Sequence, residues 1–119
     1  SVERWNRLHP NEPWRTPLVT QLLGETQGPV VAVTDFMKIV PEQVARFVPG
    51  RTFVPLGTDG MGRSDTREAL RRLFEVDAGH IVVAVLSAMM SEGRASADEV
   101  QAAIARHGID PEAISALTL

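Results

Sequence analysis

Two short β-branched runs, "PVVAVTDF" (29–36) and "RTFVPL" (51–56), constrain this chain more than any other feature. A brief apolar run bounded by turn residues reads as a buried strand. Between them "VPEQVARFV" (40–48) changes period: Val40, Val44, Phe47 and Val48 share one helical face, and Pro41 fits a first turn. Pro49-Gly50 ends that helix. Strand, helix, strand in so few residues implies a right-handed crossover and parallel strands. Pro55 marks the second strand as an edge or an early stop. Two strands are too few, however. A two-stranded sheet is marginal in water, and parallel strands occur almost only in larger sheets covered on both faces. The expected fold class is therefore α/β, an open, mostly parallel sheet with helices on both faces. The rest of that sheet is expected to come from residues outside these 119 or from another chain.

The remaining segments read as helices. Residues 1–15 carry two Pro, two Trp and no clean period, so an irregular lead-in is expected. Thr16 and Pro17 predict a helix start, followed by an apolar face of Leu18, Val19, Leu22 and Leu23. Asp65, with Glu68 three residues on, predicts a capped helix. Its apolar face is Ala69, Leu70, Leu73 and Phe74, and its polar face is Arg67, Arg71 and Arg72, with Glu68 able to pair with Arg72. Asp77 predicts the cap of a second helix, in which Ile81–Leu86 is apolar nearly all round and so expected to be buried on most sides. Ser96 with Glu99 predicts a third cap. Gly108 predicts its end, with Ile109 folding back toward Ile104. Asp110-Pro111 predicts one last helical turn. The whole, 1–119, suits a single domain.

Composition narrows the function classes. The net charge is −3, with 12 basic and 15 acidic residues, so there is no electrostatic footprint for nucleic acid. There is no cysteine, which excludes disulfides and thiol catalysis. The run Ile81–Leu86 is far shorter than the ~20 residues a bilayer requires, and no leader-like segment is evident. A soluble, cytoplasmic protein with no membrane partner is the expectation.

Candidate sites centre on the glycine-rich loop "GTDGMGRSD" (57–65) between strand and helix. A phosphate cradle has the right parts, free N–H groups and a helix start. The Walker and dinucleotide spacings are absent, though, and Asp59 and Asp65 would repel an anion. Asp35 and Asp59 fall on the same carboxyl edge of a parallel sheet, where open α/β folds take ligands. Asp35, Thr58 and Asp59 thus form a possible small-ligand edge, yet loop aspartates more often cap and turn. Arg63, Arg67 and Arg71, with Met89 and Met90, form a possible partner contact, weighed against a solvated helix face and core filling. His9, His80 and His107 are scattered without metal-ligand spacing, and Ser64-Asp65 has no adjacent His, so no triad is supported. No complete catalytic, cofactor or metal constellation is expected.

The stretch "LGTDGMGRSDTREALRRLFEVDAGHIVVAVL" (56–86) closely resembles the C-terminal end of the homodimeric, thiamine-diphosphate-dependent pyruvate dehydrogenase decarboxylating component. "ERWNRLHPNEPWRTPLVTQLL" (3–23), "VVAVTDFMKIVPEQVARFVP" (30–49) and "RHGIDPEAIS" (106–115) resemble the same family in the same order. A looser likeness to the transketolase C-terminal domain runs through the glycine loop and the following helix. The resemblance implies a large three-domain parent that decarboxylates pyruvate on thiamine diphosphate with Mg²⁺. The parent would pass the acetyl group to the lipoyl group of a dihydrolipoyl acetyltransferase core. It further implies that the cofactor and catalytic residues belong to the two preceding domains, and that this chain is a C-terminal domain lacking its first strand–helix–strand segment. "TDG" (58–60) is similar to the "GDG" opening of the thiamine diphosphate motif, but that motif needs downstream Asn, and the only Asn residues are Asn6 and Asn11.

The resemblance points to a structural and assembly role, with dimer contact and no chemistry of the chain's own. The alternatives are a small-ligand or regulatory module at the carboxyl edge and an unrelated free-standing α/β binding module.

Overall fold

The computed structural model describes residues 1–58 and 66–114. In chain order its elements are α1 (Val2–Leu8), α2 (Leu18–Gly24), β1 (Val30–Val33), α3 (Ile39–Glu42), a 3-10 turn (Ala45–Phe47), β2 (Phe53–Leu56), α4 (Arg67–Leu73), α5 (Ala78–Ser91) and α6 (Ala97–Arg106). β1 and β2 pair in parallel, with Val30 opposite Phe53 and Val33 opposite Leu56, as the two runs required. Thr52 and Thr34 extend the ladder: Val30 N–H donates to the Thr52 carbonyl at 2.8 Å and Thr34 N–H to the Leu56 carbonyl at 3.0 Å. Both α3 and α5 pack on both strands, and α5 packs on α6. Arg51 holds the entry to β1, donating to the carbonyls of Leu23 and Gly28 and to the Thr26 hydroxyl.

Several local expectations are corrected. The lead-in is irregular only from His9 to Arg15; before it α1 forms, with the Ser1 hydroxyl accepting from Arg4 N–H. Trp5 and His9, one turn apart, stack at 4.3 Å between ring centroids, a pairing that i,i+4 spacing permits. α2 starts after Pro17, not Thr16, because the extended Pro17 backbone (ψ 146°) takes the cap position, and no side chain caps it. The 40–48 helix breaks into α3 and the 3-10 turn. Val48 at the end of that face is buried, but Val40 and Val44 stay 50% and 36% exposed, so little packing holds these β-branched residues in one continuous helix. The cap of α4 is Thr66, whose hydroxyl accepts from Ala69 N–H; the expected cap Asp65 lies outside the described residues. Arg72 donates to the Gly108 carbonyl instead of pairing with Glu68. Asp110-Pro111 makes a turn, not helix: the Asp110 carboxylate accepts from Glu112 N–H at 2.9 Å.

Other expectations hold. Asp77 caps α5, accepting from His80 N–H at 3.0 Å. Ser96 caps α6, and its hydroxyl also meets the Glu99 carboxylate at 3.3 Å. Gly108 adopts φ 62° while Ile109 N–H returns to the Ile104 carbonyl at 3.1 Å, a Schellman ending.

Burial departs furthest from expectation. Among the described residues the buried hydrophobic ones are Val48, Val76, Ala88 and Ala103, and no large side chain is fully buried. In α5 only Ala88 is buried, and Val82 is 39% exposed, so this helix is not enclosed as its composition demands. The radius of gyration is 17.6 Å, against roughly 13–14 Å for a compact domain of this length. The accessible surface of 8478 Å² is about a third more than the roughly 6,300 Å² of a folded monomer of this mass. Arg67–Ser91, 25 residues, is together long and apolar enough to cross a bilayer. It is two helices, however, broken where Glu75 takes the left-handed φ of 61°.

Candidate functional site

The carboxyl end of β1 carries the first candidate. Thr58 N–H donates to the Phe36 carbonyl at 2.8 Å, and the Thr58 hydroxyl donates to the Asp35 carbonyl, so this hydroxyl's proton is used in joining the two strand ends. Gly57 makes that approach possible, since a Cβ there would lie 2.5 Å from the Phe36 carbonyl oxygen and 2.8 Å from the Lys38 nitrogen. Asp59, the third member of the predicted edge, lies outside the described residues, as does Arg63.

The Asp35 side chain borders an open cavity of about 770 Å³ at the elbow of α4 and α5. Ala69, Val76, Ala78 and Ile81 line it with Glu68, Arg71, Arg72 and Asp77. The fold thus brings together two candidates that spacing had kept apart, the Asp35 edge and the Arg71 face. Arg67 and Arg71 are exposed, as is Met90, whereas Met89 is half-buried.

Asp77 joins this cavity to the α5 cap. Partial burial alone would raise its carboxyl; the His80 backbone N–H, the His80 ring and the Arg72 charge together outweigh that and hold it below the ordinary carboxylate value. The His80 Nδ1 lies 2.5 Å from Asp77 Oδ1, so the pair extends the helix cap. His9 stacks on Trp5, and His107 lies where a Cβ on Gly79 would meet it at 2.8 Å. The three histidines therefore serve three separate local contacts. Among the described residues no group of three or more His, Asp or Glu converges as metal ligands.

One constellation went unread in the sequence. Asn6 is buried, and its amide grips the Arg15 backbone on both sides: Oδ1 accepts from Arg15 N–H at 2.8 Å and Nδ2 donates to the Arg15 carbonyl at 3.0 Å. The Arg15 guanidinium lies 3.6 Å over the Trp5 ring. The Trp5–His9 spacing was the available signal; the partner nine residues further on from Asn6 was not.

Most of the exposed large apolar residues lie in the first half of the chain. Leu18 and Leu22 of α2 are 66% and 67% exposed, Phe36 and Met37 are 72% and 61%, and Trp14 is 80%. Fold and surface together define an α/β segment with much of its apolar surface exposed.

No family model matches the chain. It is 48% identical to the pyruvate dehydrogenase E1 component of Pseudomonas aeruginosa over 112 residues, 94% of this chain and 13% of that protein. It is 46% identical to the Escherichia coli protein of the same name over 113 residues, 95% of the chain and 12% of the relative. The Haemophilus influenzae counterpart is 47% identical over 114 residues, 96% and 13%. Over nearly its whole length the chain matches a segment of pyruvate dehydrogenase E1 components, and it spans about an eighth of the length of these relatives.

Proposed function

We propose that this chain is the C-terminal structural and assembly part of a pyruvate dehydrogenase E1 component, with a fold like the transketolase C-terminal domain. In this reading the whole protein is a cytoplasmic, homodimeric oxidoreductase of the pyruvate dehydrogenase complex. It decarboxylates pyruvate and acetylates the lipoyl group of dihydrolipoyl acetyltransferase. Thiamine diphosphate with Mg²⁺ supplies the carbanion chemistry there, held by other domains. The residues of this chain do not fit that cofactor: the downstream Asn of its motif is missing, and among the described residues no acidic cluster converges.

The observation that carries this reading is the surplus of exposed surface, about a third beyond that of a compact monomer, in a chain matching an eighth of its relatives. A segment that must bury its helices on neighbours contributes architecture. The test is to assay the purified chain with pyruvate, thiamine diphosphate and Mg²⁺, where no decarboxylation is expected, and to delete it from the full enzyme, where loss of the dimer is expected. A ligand-binding reading is favoured by one feature, the cavity shared by Asp35 and Arg71. Saturable binding of pyruvate, a nucleotide or thiamine diphosphate to the chain, abolished by Asp35→Asn, would establish it in place of the first.

A further inference from the structure

We draw no further inference here: the strongest candidate, the cavity of about 330 Å³ between α4, the start of α5 and the turn after α6, lined by Arg72 and His80, carries nothing because Arg72 is engaged by the Gly108 carbonyl and His80 Nδ1 by Asp77, and nothing in the structure shows what the cavity would hold.

Discussion

The helical pair α5–α6 closes its own ends, and the sheet half does not. Asp77, Ser96 and Gly108 each satisfy helix-terminal groups with residues a few positions away. Val76, Ala88 and Ala103, three of the four buried hydrophobic residues among those described, belong to that part of the chain. The first half holds the fourth, Val48, and most of the exposed large apolar side chains, from Leu8 to Val44. Hydrogen bonds within a helix are local, so a helical pair can be polar-satisfied alone. A parallel sheet needs partners from elsewhere on both edges and both faces. On the assembly reading, the difference places the dependence on neighbours in the sheet half rather than in the helical pair.

The comparison breaks most readily at Gly57. Gly57→Ala would drive a Cβ against the Phe36 carbonyl and the Lys38 nitrogen, both backbone atoms that cannot swing away. A loss of about 3 kcal/mol, the upper range for overpacking, is expected in chemical denaturation, with the sheet half opening first by hydrogen exchange. Asn6→Ala comes next. It leaves the Arg15 N–H and carbonyl without partners, an effect of about 2 kcal/mol, and should release Arg15 from Trp5, read as a change in tryptophan fluorescence.

On the helical side, Asp77→Ala should cost about 1 kcal/mol as a lost cap. Because the folded carboxyl is held below its ordinary value, it binds its proton less tightly than in the unfolded chain. Its contribution is therefore full above the usual carboxylate value of about 3.9 and disappears as pH falls through the lower folded value. Acid titration of stability should be flatter in the variant over that window; an unchanged slope would remove Asp77 from the account. The smallest effect sharpens the contrast between two Schellman endings. α4 ends with Glu75 at φ 61°, where α6 uses Gly108 at φ 62°. Glu75→Gly should stabilise α4 by somewhat under 1 kcal/mol, and thermal unfolding would detect it as a small rise in Tm.

The candidate edge was half legible. Asp35 and Thr58 were placed together by parallel pairing alone, and their contact at the strand ends is observed. That Arg71 shares a cavity with Asp35 was not legible, because it depends on the angle at which α4 and α5 return over β1. The lead-in was misread because its order comes from Asn6 gripping Arg15, a contact between unlike elements with no period to reveal it. The 40–48 helix was overextended because a shared apolar face predicts helix only where something covers that face.

By itself the sequence determined the strands, their parallel pairing, the caps at Asp77 and Ser96 and the Gly108 ending. The caps and the ending are decided by side-chain and backbone bonds within a few residues, and the parallel pairing by the one short crossover between the strands. Only the tertiary structure decided how little of the apolar surface is buried. Burial is a property of what lies across the gap, which no local pattern encodes.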